Sequence, residues 1–209
     1  MGVEERKKRD RKGMRNRILK AARGLFAQGG YRNVSIRRIA RRIEYSPGNI
    51  YRYFQNKDDI MRQLCFQGFE RLLSRQLELA RIADPLERLV KGGRYYVSFA
   101  LDNPDLYDLM FGTEEIIKQP DQTEETVALK SFGKHVETVQ QCLDAGVFRG
   151  SDAESLAVAI WAALHGLSSL LIKKQLRFLS QDKMDMVVSN TLNFILRADK
   201  GLHVSTENP

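Results

Sequence analysis

Apolar residues recur at spacings of three and four along most of the chain, and no useful stretch alternates in the two-residue rhythm of a half-buried strand. Ile18, Ala21, Ala22, Leu25 and Phe26 line one face of a helix expected over 15–28. Gly29-Gly30 ends it, because glycine tolerates the left-handed backbone just past a helix. Ile36, Ile39, Ala40 and Ile43 form the inner stripe of a short second helix, with Ser35 placed to cap its first turn through the hydroxyl. Arg37, Arg38, Arg41 and Arg42 fall between those positions and face outward. After Glu44-Tyr45, Ser46 is expected to cap a third helix, with Pro47 in its first position, where a missing N–H costs nothing. Ile50 and Phe54 point inward; Gly48, Asn49, Arg52 and Tyr53 are largely outward, with Tyr51 at the flank. Two short helices joined by a tight turn, with small Ala40 at their crossing, form a helix-turn-helix pattern.

The pattern continues as helices to the end. Asn56 caps a fourth helix running to about Ala83, with Asp58-Asp59 complementing its dipole. Asp84-Pro85 opens a fifth to about Leu101, and Asn103-Pro104 a short sixth. The acidic stretch from Gly112 to Glu125 reads as a loop, and 126–145 as a seventh helix. Ser151 or Asp152 caps an eighth to about Leu179, and 181–198 forms the ninth. The expected class is all-α, three helices followed by six. Ser155 to Ile172 is an uncharged run of 18 residues, long enough to span a bilayer. It holds three serines, His165 and Gly166, and is a single segment, so a buried central helix is the better reading and no membrane is expected as a partner.

Charge divides the chain. The net +8 resolves into +12 on residues 1–62 (18 Lys and Arg, 6 Asp and Glu) and −4 on the rest, so attraction to phosphate belongs to the first part alone. The basic run from Arg6 to Lys12 has no apolar core of a targeting peptide. Residues 1–12 are expected to be a disordered basic tail that either tracks phosphates or a minor groove or is simply solvated, and 200–209 a second disordered tail. Cys65 and Cys142 lie 77 positions apart with no metal-ligand spacing, and read as small buried hydrophobes in a reducing cytoplasm. Three scattered histidines make no metal site. No G-x-S-x-G, H-E-x-x-H, phosphate loop or G-x-G-x-x-G occurs, so neither an enzyme nor a cofactor is expected.

The stretch Arg17-Ile18-Leu19, Ala22, Leu25-Phe26, Gly29-Gly30-Tyr31, Ser35-Ile36, Ile39-Ala40, Ser46-Pro47-Gly48-Asn49-Ile50-Tyr51-Arg52-Tyr53-Phe54 and Lys57-Asp58-Asp59-Ile60 resembles the DNA-binding domain of the TetR family of bacterial regulators. Asn103-Pro104, Leu106-Tyr107, Met110-Phe111 and Trp161-Ala162-Ala163-Leu164-His165-Gly166 resemble a C-terminal domain type of that family named for its Trp-His-Gly motif. The resemblance implies a DNA-binding domain over 13–58 and an effector-binding, dimerising domain over 59–199. It implies a cytoplasmic, nucleoid-associated regulator, by family default a repressor, released from a pseudo-palindromic double-stranded operator by a small molecule. Glu44 stands where the family usually has glycine in the turn, at an expected strain of about 1 kcal/mol.

A recognition helix reads bases from its N-terminal part. Pro47, Gly48, Asn49 and Arg52, with Tyr45 from the turn and Ser46 at the cap, are therefore expected at DNA. Arg52 suits guanine O6/N7, and Asn49 suits adenine or a phosphate. By resemblance Ser35, Tyr51, Tyr53 and Lys57 meet phosphates. The effector set is Phe66, Phe69, Tyr95, Phe99, Tyr107, Phe111, Phe132, Trp161, His165 and Ser168, although aromatics at helical spacing, Tyr96 included, also read as plain core. His165 is open between ligand contact, pH-sensitive group and satisfied core histidine. A homodimer is expected through Leu156, Ile160, Leu164, Leu167 and Leu171 on the eighth helix and Met184, Val187, Val188, Thr191 and Ile195 on the ninth. The rival reading is a helical regulator acting mainly through protein partners; Tyr51, Tyr53, Lys57 and the +12 unit weigh against it.

Overall fold

The computed structural model describes residues 2–112, 122–149 and 152–198. Among them are nine α-helices and no strand: α1 Val3–Gly29, α2 Ile36–Arg42, α3 Pro47–Tyr51, α4 Lys57–Leu79, α5 Pro85–Asp102, α6 Pro104–Gly112, α7 Gln122–Asp144, α8 Ala153–Ile172 and α9 Gln181–Ala198. The predicted all-helical class and the order of its helices are those observed.

Helix starts follow the local chemistry closely. Ser35 Oγ accepts the Arg38 N–H at 3.2 Å, Asn56 Oδ1 that of Asp59 at 2.8 Å, Asp84 Oδ1 that of Leu86 at 3.0 Å and Asp152 Oδ1 that of Ser155 at 2.9 Å. Ser46 stands at the N-cap of α3 with extended backbone, but its hydroxyl makes no cap bond; its carbonyl accepts the Asn49 N–H at 3.0 Å instead.

Four helix limits differ from expectation, the smallest being α4, which stops at Leu79 rather than near Ala83. α1 begins at Val3, so residues 3–12 are helical where a disordered tail is predicted. Their Glu, Arg and Lys side chains favour helix, Glu4 and Glu5 complement the dipole, and the Gly2 N–H bonds Glu5 Oε2 at 3.1 Å. α7 starts at Gln122, within the stretch read as a loop; 113–121 and the tail 200–209 lie outside the described residues. α8 stops at Ile172 rather than near Leu179, because Lys174 takes a left-handed φ of 52° and the Gln175 N–H returns to the Leu170 carbonyl at 2.9 Å.

The chain divides into two compact units, residues 1–71 with 104–128, and 72–103 with 129–209. In the first, α1 to α4 and α6 surround Ile18, Ala22, Ile39, Ile50, Phe54, Ile60, Met61 and Leu109. A Cβ at Gly68 would collide with Met110 Sδ, so glycine lets α4 and α6 approach closely. Arg23 reaches Asp105 with Nε–Oδ2 at 2.5 Å and Nη2–Oδ1 at 2.8 Å, tying α1 to α6. Burial alone would raise the Asp105 pKa, but the Arg23 hydrogen bonds and charge outweigh it and hold the carboxyl below its ordinary range. Both cysteines are buried, and burial pushes the Cys142 thiol up to about 11.

In the second unit α5, α8 and α9 pack on one another around Leu89, Val97, Val139, Phe148, Ala157, Ile160, Leu164 and Leu192. Of the stripes expected to meet a partner subunit, that of α8 and part of that of α9 turn inward, while Met184, Val187 and Thr191 of α9 are half-buried. Ile160 and Leu164 belong to this core, Leu156, Leu171, Val188 and Ile195 pack against it, and Leu167 is buried as well. α8 has the length and apolarity to cross a membrane, but it is a one-sided core helix. Its other side exposes Ser155, Val158, Ala159, Ala162, Gly166 and Leu170.

Candidate nucleic-acid interface

Ile39, Ala40, Ile50 and Phe54 are almost fully buried, so α2 is seated on α1 and α3 on α2 with the side chains that periodicity placed inward. What remains outside α3 is the predicted reading surface. Ser46, Pro47, Gly48 and Arg52 are exposed, Tyr51 is 57% and Tyr45 39% exposed, and Asn49, Tyr53, Ser35 and Lys57 are half-buried. Helical spacing brings Pro47, Gly48, Tyr51 and Arg52 to a shared surface. The turn before it passes through Glu44 at φ 59°, the left-handed conformation that glycine would take without strain.

Half-buried Arg15 and Lys57 and exposed Arg17 hold this surface in place through contacts that the sequence reading missed. Arg15 donates from Nη1 to the Tyr53 carbonyl at 2.6 Å and from Nη2 to Gln63 Oε1 at 3.2 Å, with Cζ 4.2 Å from the Phe54 ring centroid. Arg17 Nη2 reaches the Ile43 carbonyl at 3.4 Å and its Cζ lies 5.4 Å from the Tyr45 ring centroid. Lys57 donates to the Tyr31 carbonyl at 3.4 Å, with Nζ 3.5 Å from the Tyr31 ring centroid, while the Tyr31 hydroxyl donates to Asp58 Oδ1. Asn33 Nδ2 bonds the Leu25 carbonyl at 2.6 Å, closing the end of α1. These partners are separated by up to 48 positions, and no local pattern pairs them. On the outer side of α2, Arg37, Arg38, Arg41 and Arg42 are all exposed, as the periodicity predicts.

The predicted effector residues divide between the two units. In the first, Phe69 and Phe111 meet edge-on with centroids 5.6 Å apart, and Tyr107 lies 4.9 Å from Phe111. Phe66 is half-buried on α4. In the second, Phe132 and Trp161 are 6.1 Å apart, Trp161 and His165 5.8 Å, and Tyr95 and Phe99 6.3 Å. The hub is Tyr96, which helical spacing alone reads as plain core. Its hydroxyl accepts the Trp161 Nε1–H at 3.0 Å and lies 3.1 Å from His165 Nδ1. Burial, followed by the Lys173 charge, lowers the His165 pKa. The neutral ring can then accept the Tyr96 O–H at Nδ1. Burial likewise lowers His135, whose Nε2 lies 3.0 Å from the Ala157 carbonyl and must carry the hydrogen. Phe99 is buried in its unit, and the buried Ser168 hydroxyl donates back to the Leu164 carbonyl at 2.8 Å.

Residues 18–64 match the profile described as bacterial regulatory proteins, tetR family, and residues 89–193, half of the chain, match the tetracyclin repressor-like C-terminal domain. The HTH-type transcriptional regulator UidR of Escherichia coli (strain K12) is 30% identical over 89 residues, 43% of this chain and 40% of that protein. The HTH-type transcriptional repressor KstR of Rhodococcus jostii (strain RHA1) is 34% identical over 89 residues, 43% of this chain and 42% of that protein. The match thus spans about 40% of the length of these curated relatives. The structure of the transcriptional regulator FadR from Bacillus subtilis, solved with stearoyl-CoA, superposes with a TM-score of 0.71 at 18% identity, covering 90% of this chain and 98% of that one.

Proposed function

Because the chain belongs to the TetR family of bacterial regulatory proteins, we propose that it is a sequence-specific DNA-binding transcriptional regulator, a homodimeric repressor released from its operator by a small molecule. The observation that carries this reading is the polar, exposed side of α3, Ser46 to Arg52, mounted on buried Ile50 and Phe54 within the +12 part of the chain. Arg52 and Asn49 read base edges; Tyr45, Pro47 and Gly48 make close contact; Ser35, Tyr51, Tyr53 and Lys57 bind phosphates. Ser35 keeps its O–H to donate while its oxygen accepts the cap bond.

Residues 13–58 serve DNA, and 59–199 serve dimerisation and sensing. One helix-turn-helix reads too few bases alone, so two copies lie on half-sites about 34–36 Å or a multiple apart. The side of α8 that is exposed in the single chain, with Val158, Ala159, Ala162 and Leu170, is the surface offered to the second copy. A small, mostly apolar effector lies against Phe132, Trp161 and His165, and shifts the population toward a state with the wrong half-site spacing. The protein works in the cytoplasm at the nucleoid.

Selection of bound fragments from the native genome, followed by gel-shift titration, tests the reading. Arg52→Ala relaxes discrimination at one base pair by about 1–3 kcal/mol, and Lys57→Ala weakens all sequences and lowers the salt slope by about one unit. Unchanged operator affinity in both variants sinks the docking arrangement.

A further inference from the structure

We propose that the first turns of α1, residues 3–12, are a second DNA-contacting element: a helical strut that binds the phosphate backbone flanking the base pairs read by α3. The proposal rests on the DNA-binding reading and adds a site outside the family match, which begins at residue 18.

Lys8, Arg11, Lys12 and Arg15 are spaced i, i+3, i+4 and i+7, so they share one face of α1. The same spacing carried forward from Arg15 gives Ile18, Leu19 and Ala22, all buried. One continuous stripe is therefore apolar where α1 is packed and basic where the packing ends. Arg15 marks the junction and bonds the carbonyl of Tyr53, two residues beyond α3. The basic face thus starts beside the C-terminal end of the reading helix and runs away from it. Lys8, Arg11 and Lys12 are exposed. At 1.5 Å per residue the step from Arg15 to Lys8 is about 10 Å, the rise of about three base pairs. Glu4 continues the stripe at its outer end, where it serves the helix dipole, and Arg15 is engaged with Tyr53 and Gln63, so the phosphate-binding part is Lys8, Arg11 and Lys12.

The energetics of the strut fit an anionic partner. No apolar residue between Glu4 and Gly13 supports it, Gly13 sits in its interior, and like charges at i,i+3 and i,i+4 repel. A phosphate row removes that repulsion, so helix formation and DNA binding reinforce each other.

The test uses the full chain and a random-sequence 30-base-pair duplex, with binding read by fluorescence anisotropy between 50 and 200 mM NaCl. Lys8→Gln/Arg11→Gln/Lys12→Gln removes three charges from the stripe; Arg6→Gln/Lys7→Gln/Arg9→Gln removes three from the other sides of the same turns. Far-UV circular dichroism establishes that both are folded. The stripe variant is expected to lose about 0.9 in log–log salt slope for each phosphate contact removed, a total of two to three per subunit. The control is expected to lose less than one. Equal losses would show diffuse attraction and overturn the strut, as would no loss in the stripe variant. If the unmodified protein shows no salt-dependent binding at all, it is the DNA-binding reading that fails, and the strut falls with it.

Discussion

Glu44 shows how a single residue records the demands of the turn. The backbone between α2 and α3 needs one left-handed residue, and the chain supplies a glutamate at φ 59°. An L-residue there is strained by about 1–2 kcal/mol, part of which glycine returns as lost chain entropy. Glu44→Gly is expected to stabilise the fold by about 1 kcal/mol at most, raising Tm by about 2–4 °C for a chain of this size. A lower Tm in a thermal melt would contradict the strain argument.

The Tyr96, Trp161 and His165 cluster makes a pH-dependent prediction at the same scale. The folded state lowers the His165 pKa, so between that value and the ordinary value of about 6.5 the unfolded chain binds more protons. Stability is then full above about pH 6.5 and declines as pH falls toward the folded value. His135 shifts the same way, so His165→Gln removes part of this decline and not all of it. Trp161 is the chain's one tryptophan, and its fluorescence during melts at pH 7.5 and 5.5 reports the site directly. An undiminished pH dependence in His165→Gln would show that His165 is not the group concerned.

At the scale of elements, α8 separates what periodicity can and cannot say. Its residues are apolar on nearly every side, so a stripe of leucines can be drawn facing in or out with equal support from sequence. Packing decides it: Ile160 and Leu164 meet α5 and α9 in the core, and Val158, Ala162 and Leu170 remain outside. The two sides therefore make opposite predictions. Leu164→Ala is expected to cost about 2–5 kcal/mol of stability, as a core truncation does. Ala162→Glu is expected to leave a folded protein that elutes as a monomer on size exclusion and binds its operator poorly. A stable Ala162→Glu dimer would place the subunit interface elsewhere. The helix limits show the same division. Caps at Ser35, Asn56, Asp84 and Asp152 are local chemistry and were legible, whereas the end of α8 at Ile172 depends on a left-handed Lys174 that no residue type announces.

Across the whole molecule, the all-helical class, the helix-turn-helix with its inward Ile39, Ala40, Ile50 and Phe54, and the basic first part were determined by sequence alone. Each depends on spacing, caps and charge counted along the chain, and needs no knowledge of distant residues. Tertiary structure decided the rest. It placed Arg15 on the Tyr53 carbonyl, Lys57 over Tyr31 and Tyr96 between Trp161 and His165, contacts between residues 26 to 69 positions apart. It joined residues 104–128 to the first unit, where Arg23 holds Asp105 and Gly68 admits Met110, although the charge count marks only one boundary along the chain. It also turned the leucine stripes of α8 inward. The physical reason is common to all three. A helix's period tells which residues share a side, but which side is buried is settled only by the elements that compete to cover it.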